Sequence, residues 1–168
     1  GLAKLRDGTN RFIPYTLAGE IVEISYTKND FSLIKIQRAS KDRIKPICKY
    51  FTTCGGCKTQ QMTLHMYQLW KRGTIEKALI NQGLNIHVDP LINAHGQGRR
   101  RVSFHAKRDK NQIFAGLMKY RSHDILNIEN CPILVPALSS GIKIVRDLAR
   151  IMPIHSKPID VQLTMSES

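Results

Sequence analysis

Acidic residues are scarce in this chain of 168, with 13 Asp and Glu against 26 Lys and Arg and a formal net charge of +13. A basic excess of that size points to a polyanionic partner, held by phosphate contacts and the release of counterions. Long apolar runs are missing as well. None approaches the roughly 18 residues of a membrane-spanning helix, and the opening residues lack the pattern of a signal peptide. No basic helix carries a wide, uninterrupted apolar face, so a membrane surface is not the expected partner. A cytoplasmic protein, monomeric and bound to nucleic acid, is the expectation. Internal repeats and low-complexity tracts are absent. So is the strand, glycine-rich turn and helix, with an acid about 20 positions on, that a Rossmann-like cofactor site requires. His95-Gly96-Gln97-Gly98 is a loop too generic to be a phosphate cradle.

Cysteine is sparse, yet its placement is informative. The only four are Cys48, Cys54, Cys57 and Cys131, spaced C-x5-C-x2-C and then, after 73 intervening residues, a fourth before Pro132. Four thiolates complete the ligand set of one metal centre. Gly55 and Gly56 let the backbone fold tightly, so that sulfurs and amide N–H groups can face one object. Structural zinc usually takes its cysteines as two close pairs, whereas iron–sulfur sites often take three close and one remote, the last followed by proline. The spacing favours a 4Fe-4S cluster, with zinc as the alternative. Two disulfides, or four unrelated thiols, are the plainer readings. Disulfides are disfavoured in a chain of this length without a secretory signal. With all four cysteines in one pattern, no nucleophilic cysteine is left over.

The basic residues cluster around the same positions. Lys35 to Lys58 holds seven Lys or Arg and one acid, and Arg99 to Arg121 holds eight and one acid. If the cysteines converge, these two runs are drawn together.

Patterning gives an α+β reading. Residues 1–38 show short strands at Leu2–Leu5, Arg11–Pro14, Glu20–Tyr26 and Phe31–Ile36, broken by turns at Asp7-Gly8, Ala18-Gly19 and Lys28-Asn29-Asp30. Such a run suggests a small β-barrel of OB type that opens part-way into its pattern. Thr63 to Gln82 reads as a helix, N-capped by Thr63 and stopped at Gly83, with Met66, Leu69, Trp70, Ala78 and Leu79 expected to share a core-facing side. Tyr67 and Trp70 are expected to pack in the core rather than stack on bases, and Lys71 to lie on a solvated face. Strands return at Arg101–Lys107, Ile113–Met118 and Asp124–Ile128. Alternation sends Arg101, Ser103 and His105 to one face and Val102, Phe104 and Ala106 to the other. Pro136 to Met152 reads as one helix with Leu138, Ile142, Val145, Leu148 and Met152 inward, and Ile159 to Leu163 as a strand. The expected domains are 1–40, a barrel, and 41–168, an α/β domain with antiparallel strands that bears the cysteines.

Gly1-Leu2-Ala3, Asp7-Gly8, Phe12-Ile13-Pro14 and Leu17-Ala18-Gly19-Glu20-Ile21-Val22 resemble a TRAM domain, a small RNA-binding barrel of RNA-modifying enzymes. Cys48-x-Tyr50-Phe51-x-x-Cys54-Gly55-Gly56-Cys57-x-x-Gln60, Tyr67 and Lys71, Arg99-Arg100-Arg101-Val102-x-Phe104, Gly116-Leu117 and Cys131-Pro132-Ile133-Leu134 resemble the RNA 5-methyluridine methyltransferases. That resemblance implies a parent enzyme which uses S-adenosylmethionine, attacks uracil C6 with a cysteine and methylates C5. It implies large-subunit ribosomal RNA as the preferred substrate, with transfer RNA as the other, and a cluster held by the four cysteines near bound RNA. The catalytic, S-adenosylmethionine-binding half is not among these residues. Lys49, Phe51, Lys58, Arg99, Arg100, Arg101, His105 and Lys107 are the candidate RNA contacts. For the arginines, a solubilising strand edge is the plain alternative. The competing reading of the whole is a free-standing, zinc- or cluster-stabilised RNA-binding module without enzymatic activity, which the coding sequence beyond Ser168 separates from the first. Radical S-adenosylmethionine chemistry typically uses C-x3-C-x2-C and an open iron, which this spacing does not match.

Overall fold

The computed structural model describes residues 1–27, 30–93, 98–154 and 157–166. The expected turn at residues 28–30 and the loop at 95–98 fall largely outside them. The chain forms two compact units, one of residues Gly1–Pro46 and Thr59–Ile92, the other of Ile47–Lys58 and Asn93–Ser168. The cysteine knuckle is thus an excursion that belongs to the second unit, while the helix that follows it belongs to the first.

In the first unit, strand β1 (Leu2–Lys4) pairs antiparallel with β2 (Asn10–Phe12), and β3 (Ile21–Tyr26) with β4 (Phe31–Arg38). Asp7 shapes the first turn by accepting from the Thr9 amide at 2.9 Å and hydroxyl at 2.7 Å, and Gly8 supplies the positive φ of +83°. Among the described residues these strands make two separate two-stranded sheets. The register of β3 and β4 shifts between Ile21 and Val22 and again between Glu23 and Ile24, bulges that increase local twist.

The small interior of this unit holds Ile13, Thr16, Leu17 and Gln61. Beside it lies the Glu20 carboxylate, whose side chain is only 1% exposed. It accepts from Arg43 Nε at 2.5 Å and Nη2 at 2.8 Å, and from the amides of Leu17 at 2.8 Å and Ser40 at 3.3 Å. Burial by itself would raise the Glu20 carboxyl, but the Arg43 guanidinium and the two amides outweigh it and hold it below its ordinary 4.5. A second set of ties joins residues 42–44 to 61–63: Ile44 N–H donates to Gln61 O and Thr63 N–H to Asp42 O, both at 2.9 Å.

Helix α1 (Leu64–Asn81) begins where expected, with the Thr63 hydroxyl accepting from the Met66 amide. It ends in a Schellman arrangement, Leu84 N–H to Leu79 O and Gly83 N–H to Ile80 O, with Gly83 at φ +74°. Its expected core face is corrected by the structure: no residue of α1 is buried, and Leu69 and Trp70 are 54% and 46% exposed. At 3.6 residues per turn, Met66, Leu69, Trp70, Ala78 and Leu79 spread over well more than half the circumference, so they do not form one stripe. Lys71 is exposed and sets its Nζ 5.8 Å from the Tyr67 ring centre and 5.7 Å from that of Trp70.

The second unit is built on a four-stranded antiparallel sheet in the order β7-β6-β5-β8, from β5 (Arg101–Asp109), β6 (Gln112–Met118), β7 (Ile125–Asn127) and β8 (Ile159–Thr164). Alternation along β5 is as the sequence predicts, with Val102, Phe104 and Ala106 buried against α2 (Gly141–Ile151) and its side chains Ile142, Val145 and Ala149. A β-carbon at Gly141 would overlap Leu163 Cδ1, so glycine leaves that space to the Leu163 side chain at the start of α2. The expected continuous helix from Pro136 is interrupted: a 3-10 turn at Pro136–Leu138 precedes α2. Leu148 is 38% exposed and the smaller Ala149 takes the inward position.

Candidate metal centre

All four cysteines belong to the second unit. The chain turns after Cys48, whose carbonyl accepts from Phe51 N–H at 3.1 Å, and again as Cys54 N–H reaches Tyr50 O at 2.8 Å, with Thr52 at φ +76°. The knuckle then pairs with the end of β6, through a bridge of Cys54 with Lys119 and bonds from Gly55 N–H to Met118 O at 2.9 Å and Tyr120 N–H to Thr53 O at 2.8 Å. Pairing to the sheet therefore decides where Cys54 points.

Cys54 is buried, the other three are half-buried, and none is in a disulfide. The Gly56 amide approaches Cys54 Sγ at 3.4 Å. A side chain at Gly56 would stand 3.2 Å from Leu117 Cδ1 and 3.5 Å from that sulfur, so the small residue keeps the amide side of the knuckle open. Burial pushes the Cys54 thiol up, and the charges of Cys57 and Cys48 push it further, while the Gly56 amide and Arg99 oppose them. The Cys131 thiol is raised by burial and by the charges of Cys57 and Cys48, against the Ile133 amide and Arg99. Thiols from both ends of the 73-residue gap thus share one electrostatic neighbourhood.

Among the described residues, no three or more His, Cys, Asp or Glu side chains are grouped as ligands of a metal ion. Donors that are all sulfur, with amides turned towards two of them, fit a thiophilic centre. Binding would require the raised thiols to release protons.

Further ties join the two cysteine-bearing segments. Glu129 donates its amide to the Tyr50 hydroxyl at 3.0 Å, and its carboxylate meets Lys49 Nζ at 2.5 Å. The tyrosine stands in the cysteine motif, but only the fold reveals its partner.

The candidate RNA contacts are differently placed. Lys58 and Arg100 are exposed and Phe51 is half-buried. Arg101 is exposed and donates to Gln162 Oε1 at 2.8 Å. His105 Nδ1 lies 2.6 Å from Asp160, and Lys107 lies 3.8 Å from Asp109. Arg101 and His105 share the face of β5 turned away from α2, whereas half-buried Arg99 donates to Gly56 O at 3.1 Å. Some of the positive charge is structural: Arg108 donates to the carbonyls of Arg150 and Met152 at the end of α2, and Arg146 to Ile128 O. Among the described residues no helix is long and apolar enough to cross a membrane.

No family model matches the chain. It is 33% identical over 168 residues to an uncharacterized RNA methyltransferase of Brucella suis biovar 1, a match that covers the whole chain and 40% of the relative. It is 30% identical over 155 residues to the 23S rRNA (uracil(1939)-C(5))-methyltransferase RlmD of Halomonas elongata, over 88% of the chain and 32% of that protein. The enzyme of the same name from Pectobacterium atrosepticum is 27% identical over 177 residues, covering 100% of the chain and 39% of the relative. The chain spans about two fifths of the length of the first of these relatives. It is therefore homologous, from end to end, to part of a group of RNA methyltransferases that includes 23S rRNA uracil-C5 enzymes.

Proposed function

We propose that these residues are the RNA-binding front portion of an S-adenosylmethionine-dependent RNA (uracil-5-)-methyltransferase of the cytoplasm, acting on large-subunit ribosomal RNA. The match of the chain to relatives that bear that activity in their names carries this reading. The two small antiparallel sheets of the first unit are read as a TRAM-like barrel of OB type, and the second unit as the cluster-bearing domain. Methyl transfer belongs to the remainder of such an enzyme. The part played here is to hold structured RNA, with the exposed Lys58, Arg100 and Arg101 of the second unit supplying positive charge.

Cys48, Cys54, Cys57 and Cys131 would hold a 4Fe-4S cluster. Four thiolates saturate one such cluster, so its contribution is to pin the knuckle to the segment before Pro132 rather than to offer an open iron. Anaerobically purified protein is expected to be brown and to contain iron and sulfide. Cys54→Ser is expected to lose the colour and to lower the melting temperature. Stoichiometric zinc without iron would reject the cluster and leave the RNA-binding reading to stand on its own test below.

A further inference from the structure

The residue that joins the two cysteine-bearing segments most directly is one the sequence assigned to RNA. Arg99 Nη2 donates to Gly56 O, in the turn between Cys54 and Cys57, at 3.1 Å. Its backbone N–H donates to Ile133 O at 2.7 Å and its carbonyl accepts from Val135 N–H at 3.1 Å, so its main chain runs as a parallel bridge beside Leu134. These last partners follow Cys131 by two to four residues. A side chain at Gly98, which has φ +132°, would come within 2.9 Å of Ile133 O, so glycine there permits the close approach. One residue thereby grips the turn of the near cysteines through its guanidinium and the segment of the remote cysteine through its peptide groups.

We propose that Arg99 is the positioning cation of the four-cysteine site: it fixes the Gly56 turn against the Cys131 segment and places one permanent positive charge beside the thiolates. The inference rests on the cluster reading above. Arginine suits the role because its guanidinium stays charged and its planar fork can hold a carbonyl while facing a sulfur-rich centre. Fixed charge and hydrogen bonds around the sulfurs are among the means by which a protein sets the potential of such a centre. Gly56 lies between the two sulfurs of the knuckle, so a bond to its carbonyl also holds the neighbouring amide that points at Cys54 Sγ.

The test compares wild type, Arg99→Lys and Arg99→Gln, purified anaerobically, for iron and sulfide content, midpoint potential and the salt slope of RNA binding. Removing the charge makes addition of an electron harder. At a fixed applied potential, Arg99→Gln is expected to lower the reduced-to-oxidised ratio about tenfold, equivalent to about 59 mV for a one-electron couple. Arg99→Lys, which keeps the charge but not the fork, is expected to retain a potential close to wild type with reduced cluster content. A cluster of unchanged content and potential in Arg99→Gln overturns the inference and leaves the cluster reading intact. If the salt slope of that variant also falls by about one, Arg99 is a phosphate contact instead. Wild-type protein without iron overturns the cluster reading and this inference with it.

Discussion

At the scale of single residues, the most constrained charge in the first unit is Glu20. Its side chain is 1% exposed while that of its partner Arg43 is 17% exposed, and removing one member of a buried ion pair leaves the other uncompensated, at a cost of about 3–5 kcal/mol. Glu20→Gln is expected to lie at the lower end, because the amide can still accept from Arg43 and Leu17. The sign with pH follows from the direction of the shift. Because the folded carboxyl is held below 4.5, its stabilisation is complete above that value and is lost as pH falls through the folded one. Urea midpoints measured from pH 7 down to pH 3 are expected to fall more steeply for wild type than for Glu20→Gln. Parallel curves would mean that Glu20 does not carry the acid sensitivity. Sequence patterning marked Glu20 only as part of a motif, since its partner lies 23 positions away and no local spacing connects them.

Among the elements, β5 and α1 show how differently periodicity can perform. A strand packed on one face has a period of two and a single neighbour to satisfy, and the β5 pattern placed Val102, Phe104 and Ala106 inward as the structure does. Phe104 is fully buried, so Phe104→Ala is expected to cost about 3–5 kcal/mol. Trp70, although larger, is 46% exposed on α1, and Trp70→Ala is expected to cost well under half of that. Chemical denaturation of both variants checks the ranking, and a larger loss at Trp70 would mean that α1 is enclosed in solution. The α1 boundaries were readable from Thr63 and Gly83, because caps are local chemistry. Its packing was not, because apolar residues spread round a helix do not say which side is covered. The break before α2 escaped the pattern for a related reason: Ser139 and Ser140 interrupt neither the apolar period nor the charge.

For the whole molecule, the +13 charge is the property with the widest consequence. Association with structured RNA is expected to weaken steeply with salt, as a linear fall of log affinity against log salt. Arg101→Ala is expected to lower the affinity and reduce that slope by about one if Arg101 meets a phosphate. Filter-binding titrations at several salt concentrations measure both quantities, and affinity indifferent to salt would remove the phosphate argument. Arg108 and Arg146, engaged at the carbonyls of α2 and Ile128, are expected to contribute less to the slope than the formal charge suggests.

Composition, cysteine spacing, helix caps and strand alternation were determined by the sequence alone, because each depends on residues close together in the chain or on a sum over all of it. Partners across long intervals were decided only by the tertiary structure: Arg43 for Glu20, Glu129 for Lys49 and Tyr50, and Gly56 for Arg99. The pairings within the second unit follow from how the knuckle joins the end of β6 and how Arg99 bridges Leu134 before β5 enters the sheet. Burial of Phe104 and its neighbours beneath α2 holds the sheet on which those second-unit pairings are built, and no pattern local to a cysteine or an arginine encodes it.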